Sequence, residues 1–165
     1  MTNTNQFRGQ NLSGIDFTQI DLSDEVLAHS TLTNCKFGKC VGTNFGSCHG
    51  EKIDFSRSDL TGSTFNKADQ SVIDCLFGAV WNGVTINRVS PWLITQNPWW
   101  TFATNAFVSI GCLVMPLPEW QRICRTPESV QELATLDPFM KGRCDEAFAW
   151  WSQNKSLIES WYDSS

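Results

Sequence analysis

Cysteine and histidine are the residue types in this chain that could act as nucleophiles or bind a metal ion. Cys35, Cys40, Cys48 and His49 lie close together in the sequence, but they lack the CxxC and HxxxH spacings of zinc sites. Cys48 and His49 are neighbours, and neighbouring side chains on an extended edge point to opposite sides. They therefore cannot form a nucleophile and base pair. The sequence predicts no catalytic residue, no metal and no cofactor.

Carboxylates form a second set of residues with functional potential. Six aspartates recur at one position of a five-residue register that shifts once: Asp16, Asp21, Asp54, Asp59, Asp69 and Asp74. The chain carries 17 acidic against 12 basic residues, and neither half is basic, so binding to nucleic acid phosphates is disfavoured. Outward carboxylates could instead imitate those phosphates. The alternative is that each aspartate satisfies backbone donors as a turn residue, and both interpretations stay open.

The element that must position these aspartates is an internal repeat with a period of five. Large apolar residues occupy every fifth position at Phe7, Leu12, Phe17, Leu22, Leu27, Leu32 and Phe37. A helix repeats near 3.6 and a strand at 2, so this period predicts a solenoid that turns a corner at each repeat. The register shifts by three after Phe37 and resumes at Phe45, which predicts a small loop at residues 39–42. Phe17, Phe37 and Leu60 are expected to stack.

Three segments resemble pentapeptide repeats: Gln10 to Gly14, Ile15 to Gln19 and Ser58 to Gly62. The resemblance implies a mainly β solenoid, a right-handed quadrilateral β-helix, here of about four coils over residues 1–89. Members of that family such as the quinolone-resistance and microcin-immunity proteins are acidic and occupy the DNA-binding saddle of gyrase. By resemblance, the six aspartates would form a DNA-mimic face. That face would bind the DNA-binding groove of a type II topoisomerase such as gyrase, or of a host-defence nuclease such as a CRISPR effector.

The second predicted domain, residues 90–165, is rich in tryptophan and lacks the five-residue period. Turn signals and prolines predict a small α+β cap of short strands and helices, ending in an amphipathic helix that reaches Tyr162. That helix carries a wide, mostly aromatic stripe, which would cover the final coil or pair with a second copy. The stripe comprises Phe148, Trp150, Trp151, Ile158, Trp161 and Tyr162. Because members of the resembled family often dimerise through C-terminal helices, a homodimer is expected by resemblance.

Three hypotheses follow from these features. The first is a non-enzymatic DNA mimic that inhibits or protects its target, the second is a protein-interaction scaffold that uses the Trp-rich cap, and the third is an enzyme with a site in the cap. Segments around Ile110 to Cys112, Leu117 to Trp120 and Ala149 to Trp151 resemble phage or prophage pentapeptide proteins. Seven cysteines and the lack of a long apolar run predict a cytoplasmic protein with reduced thiols, in the host cytoplasm if the chain is phage-encoded.

Overall fold

The first half of the chain winds into stacked coils joined by parallel backbone bridges. The computed structural model describes residues 5–164. Residues 1–4 of the predicted first domain and residue 165 of the second lie outside the described residues. Bridges form four columns, and within each column the paired residues lie 18 to 21 positions apart. The columns run Asn11–Thr31–His49, Asp16–Lys36–Asp54, Lys39–Asp59–Val80 and Val26–Asn44–Thr64. The β solenoid expected from the five-residue period is present in these residues.

Large side chains stack along the inside of each column because burial there removes them from water. The rings of Phe17, Phe37 and Phe55 stack with centroids 5.4 and 5.0 Å apart, and all three are buried. The predicted stack of Phe17 and Phe37 is therefore confirmed. The prediction that Leu60 belongs to the same stack was wrong. Cys40 N donates to Asp59 O, and Leu60 N donates to Val80 O of the following coil. Leu60 therefore lies beside Cys40 and not over Phe37.

The register shift after Phe37 is a short edge and not the predicted loop. Cys40 is fully buried and Lys39 bridges Asp59, so residues 39–42 belong to the coil itself. A Cβ at Gly38 would lie 2.9 Å from the Thr18 carbonyl oxygen, so the short edge requires glycine. The shift arises because the edge between Phe37 and Cys40 is two residues shorter than its neighbours.

A second set of small inward side chains ties each coil to the one before it. These residues precede the large inward residue by two positions and donate to backbone carbonyls. Cys35 Sγ donates to Leu12 O at 3.0 Å, Thr43 Oγ1 to Leu22 O at 2.8 Å, and Ser58 Oγ to Phe37 O at 2.7 Å. All three side chains are buried. The coils are thus joined inside by side chains as well as by the backbone ladder.

The final coil is covered by elements that follow it directly. These are α1 (Gln70–Ile73), a 3₁₀ turn (Asp74–Leu76), the hairpin β1 (Val80–Trp81) and β2 (Val84–Thr85), and a sheet of β3 (Thr101–Ala103), β4 (Val108–Ile110) and β5 (Leu113–Met115) in that order. β3 and β4 are antiparallel, with Phe102 opposite Ser109. Phe102 contacts Phe65 edge to face at 6.4 Å, and Phe107 contacts Trp81 at 5.3 Å. The β3–β4 hairpin thus provides apolar cover at the end of the coils, a role that the sequence analysis gave as one of two alternatives for the last helix.

The chain forms two compact units, of which one ends at Val114 and the other begins at Met115. The boundary predicted between residues 89 and 90 lies inside the first unit, because Phe102 and Phe107 belong to the core of the coils.

The second unit is helical. It contains α2 (Leu117–Ile123), a 3₁₀ turn (Ser129–Glu132), α3 (Leu133–Leu136), a 3₁₀ turn (Pro138–Met140) and α4 (Cys144–Asp163). Trp120 of α2 stacks on Trp151 of α4 with centroids 6.2 Å apart, and both are buried. Asp137 caps the second 3₁₀ turn of this unit, because its carboxylate accepts a hydrogen bond from Phe139 N. The long helix begins at Cys144.

Candidate partner-binding surfaces

Asp16 and Asp54 lie in one row of the coils with Lys36 between them. Asp16 Oδ1 accepts hydrogen bonds from Thr18 N and Thr18 Oγ1 at 2.9 and 2.6 Å. Asp54 Oδ1 accepts from Ser56 N at 2.9 Å. These bonds, with Lys36 nearby, lower the pKa of both carboxyl groups. Each aspartate is therefore a turn residue and a fixed, ionised group at neutral pH.

Asp21 and Asp59 lie in the neighbouring row, where Lys39 occupies the intervening coil. Lys39 Nζ lies 3.0 Å from Asp21 Oδ2, and Lys39 bridges Asp59 through the backbone. The Ser23 side chain and backbone N–H, followed by Lys39, lower the pKa of Asp21 to about 2. Asp59 Oδ1 accepts from Thr61 N at 3.1 Å. Both rows thus alternate acid, base and acid, which lowers the negative potential that carboxylates alone would create.

Asp69 and Asp74 lie near the end of the coils. Asp69 Oδ2 is 3.4 Å from His49 Nδ1, and both side chains are about half exposed. Asp74 Oδ1 accepts from Gln70 Nε2 at 2.9 Å. The six aspartates of the predicted mimic face are therefore distributed over several columns, and each has a local partner. Sequence reasoning missed Lys39 as a member of these rows, although reading Cys40 as an inward residue would have placed Lys39 beside Asp59.

The predicted dimerisation residues divide into two groups on α4. Trp151 and Ile158 are buried at 4% and 0% exposure, so they belong to the core of the second unit. The half-buried residues are Phe148, Trp150, Trp161 and Tyr162. The rings of Trp161 and Tyr162 contact each other edge to face at 4.9 Å. Part of the aromatic stripe thus remains accessible to a partner.

A groove of about 540 Å³ opens on the second unit beside this stripe. Its lining consists of Gln121, Cys124, Arg125, Phe148, Trp151, Ser152, Lys155 and Glu159. Phe148 and the nearly buried Trp151 are the aromatic residues of this lining, while Arg125 and Lys155 are exposed. Gln121 Nε2 donates to Glu159 Oε1 at 3.1 Å, and Ser152 Oγ donates to Phe148 O at 2.9 Å. Sequence reasoning missed the groove, because its two sides come from helices that are distant in the sequence.

The cations of the groove differ from the arginine next to them. Arg122 forms ion pairs with Glu119 and Glu132 at 2.6 and 2.9 Å. Within residues 5–164, neither Arg125 nor Lys155 has a carboxylate within 4.0 Å. Two positive charges therefore line the groove with no ion-pair partner within 4.0 Å among the described residues, and Glu159 adds one negative charge to the same lining.

The structure also locates the residues considered for catalysis. Cys48 Sγ is buried and donates to Leu27 O at 3.1 Å, and burial raises the pKa of this thiol to about 12. His49 faces outward toward Asp69. Among the described residues, no group of three or more His, Cys, Asp or Glu side chains could hold a metal ion. In the same range, no helix combines the length and apolar content needed to cross a bilayer.

The comparison with family models agrees with the repeat geometry of one segment. Residues 39–69 match the family model described as pentapeptide repeats (8 copies). This segment is therefore similar to pentapeptide repeats. A solved pentapeptide repeat protein from the thylakoid lumen of Arabidopsis thaliana is also similar, at 24% identity over 41% of this chain and 51% of that chain, with a TM-score of 0.26. No curated protein matches the chain significantly.

Proposed function

We propose that this pentapeptide repeat protein is a non-enzymatic protein-interaction scaffold whose second unit binds a partner segment that carries carboxylates and apolar side chains. Pentapeptide repeat proteins are generally structural or interaction proteins. The observation that carries the proposal is the groove that Phe148 and Trp151 line together with Arg125 and Lys155, two cations without a carboxylate within 4.0 Å in the described chain.

The chemistry of the groove suits an acidic and apolar partner. Aromatic side chains in a groove provide large contact area and dominate interface energetics. Unpaired cations at the rim favour approach by carboxylates and reject basic segments. The half-buried aromatic residues of α4, Trp150, Trp161 and Tyr162, would extend the contact or support a homodimer.

DNA mimicry by the coils is the second candidate function. It is favoured by the exposed carboxylates of Asp16, Asp21 and Asp54, which hydrogen bonds in the turns hold in place. The target would be the DNA-binding groove of a DNA-processing enzyme such as gyrase or a CRISPR nuclease, and a phage or prophage origin stays a prediction. We rank it second because Lys36 and Lys39 separate successive carboxylates in both rows.

A binding partner is first identified by affinity capture and purified. The decisive experiment then compares the partner's affinity for charge variants of the groove and for charge variants of the coils. We expect Arg125→Glu and Lys155→Glu each to weaken binding about tenfold or more, since a charge pair becomes a repulsion. Lys141→Glu is the matched control, because Lys141 is an exposed cation of the same unit that does not line the groove.

The mimic surface is tested with Asp21→Asn and Asp59→Asn, which remove charge and keep the turn acceptor. Retained affinity in these variants, together with loss in the groove variants, supports the scaffold. The reverse pattern, combined with competition by duplex DNA or an effect on gyrase supercoiling, overturns the scaffold in favour of mimicry. Sedimentation equilibrium of each variant reports the oligomeric state, so a change in binding is not confused with loss of a dimer.

A further inference from the structure

The first coil has an open edge, which we call the leading edge and define by Asn11, Asp16 and Asp21. Within residues 5–164, the backbone N–H and C=O groups of these three residues make no hydrogen bond. Their counterparts in the next coil are paired, since Thr31 N donates to Gln10 O at 2.9 Å and Lys36 N to Ile15 O at 3.1 Å. The leading edge thus offers three ladder positions that could pair with another chain.

The inward residues of the leading edge break the pattern of the later coils. Ile15 and Ile20 occupy the positions at which Cys35 and Ser58 donate to the preceding coil. Ile15 and Ile20 are 39% and 45% exposed, whereas Cys35 and Ser58 are fully buried. Two branched apolar side chains therefore stand exposed beside unpaired backbone groups, a combination that favours burial against a partner.

The charge around this edge indicates which partner would fit. Residues 10–26 contain four carboxylates and no basic residue: Asp16, Asp21, Asp24 and Glu25. Glu25 Oε2 is buried and accepts no hydrogen bond within the described residues. In the coil that already pairs with this one, Lys36 and Lys39 lie beside Asp16 and Asp21. The alternation of acid, base and acid in both rows therefore predicts a base on the open side of each aspartate.

We propose that the leading edge binds a basic segment of another protein that follows the five-residue period, with Lys or Arg facing outward and Leu or Phe facing inward. The segment adds one coil in front of the first. The backbone N–H groups of its inward Leu or Phe residues donate to the carbonyls of Asn11, Asp16 and Asp21. Its inward apolar side chains bury Ile15 and Ile20. Its outward bases pair with the carboxylates of Asp16 and Asp21. A second copy of this chain is disfavoured, since its own leading edge would bring like charges together.

The test measures binding of a fluorescein-labelled peptide of four Ser-Lys-Leu-Ser-Gly repeats to the full chain by fluorescence anisotropy. We expect saturable binding that weakens as salt is raised. A peptide with Glu in place of Lys should bind about tenfold more weakly or not at all. Methylation of the backbone nitrogen at each Leu should weaken binding similarly, because it removes the donors to the leading edge.

Variants of the chain locate the contact and separate the possible occupants. Ile15→Lys combined with Ile20→Lys should abolish binding, while Val84→Lys, at an equally exposed apolar residue of the same unit, should leave it unchanged. Equal binding of the basic, acidic and methylated peptides overturns the proposal. Binding that appears only after residues 1–4 are removed also overturns the proposal, because it would mean that the N-terminal residues of the full chain occupy the leading edge. A concentration-dependent dimer that the double variant abolishes also overturns it, in favour of a second copy.

Discussion

The ring of Phe37 stacks on the ring of Phe55 with centroids 5.0 Å apart and planes inclined by 19°. Both side chains are buried, so Phe37→Ala would leave a cavity in the middle of the coils. We expect the free energy of unfolding to fall by about 3–5 kcal/mol, measured by urea unfolding monitored by circular dichroism.

Phe77→Ala is the matched control for this prediction, because Phe77 is 51% exposed. Its removal should change the free energy of unfolding by no more than about 0.5 kcal/mol. Equal losses in the two variants would contradict the stacked core.

The period of five predicted the coils because large apolar residues can recur at that spacing only where the chain turns at regular corners. The same pattern could not locate the short edge. Cys40 is a small inward residue in a column otherwise filled by Leu22, Leu60 and Trp81, so a repeat defined by large side chains does not include it. The error moved every later residue by one column and placed Leu60 over Phe37.

Asp59→Asn and Asp59→Ala should separate the structural from the electrostatic role of the turn aspartates. Asp59 Oδ1 accepts from Thr61 N and from Thr61 Oγ1 at 2.7 Å, and asparagine can keep both bonds. Asn11 and Asn44 already serve as acceptors of this kind for Ser13 and Gly46. We expect Asp59→Ala to lower the free energy of unfolding by about 1 kcal/mol, and Asp59→Asn to leave it nearly unchanged.

The measurement is again urea unfolding, with both variants compared at the same pH and salt concentration. If Asp59→Asn destabilised the chain as much as Asp59→Ala, the charge and not the hydrogen bonds would be the stabilising feature.

The candidate surfaces were less accessible to sequence reasoning than the coils. The aspartates were recognised from their register, but the bases between them depend on which residues meet across coils 18 to 21 positions apart. The groove requires the contact of α2 with α4 through Trp120 and Trp151. Residue spacing within one helix cannot reveal the cations that two helices bring together.

Asp21 should make stability depend on acid pH. Its pKa is lowered to about 2 in the folded chain, whereas an unfolded aspartate has a pKa of about 3.9. The unfolded chain therefore binds the proton first as pH falls, so the stabilisation is complete above pH of about 4 and is lost toward pH of about 2. Asp21→Asn should be less stable than the wild type at neutral pH, and this difference should shrink across that window.

Lys39→Met tests how much the lysine contributes to this pH dependence. Loss of the Lys39 charge moves the pKa of Asp21 back toward its ordinary value, so the pH range over which stability changes becomes narrower. Free energies of unfolding at several pH values between about 2 and 7 provide the comparison. A deficit in Asp21→Asn that stays constant over this range would exclude the proposed titration.

Thiol reactivity should follow burial, because the thiolate is the reactive form. Burial raises the pKa of Cys40, Cys48 and Cys124 to about 12, while Cys112 is exposed and Cys75 partly so. With Ellman's reagent at neutral pH, we expect a fast phase from Cys112 that Cys112→Ser removes and that Cys40→Ser leaves intact. The buried thiols should react only after unfolding in urea. Rapid modification of Cys40 in the folded chain would show that the coils open at the short edge, since that thiol contacts solvent only when the column of Leu22, Cys40 and Leu60 separates.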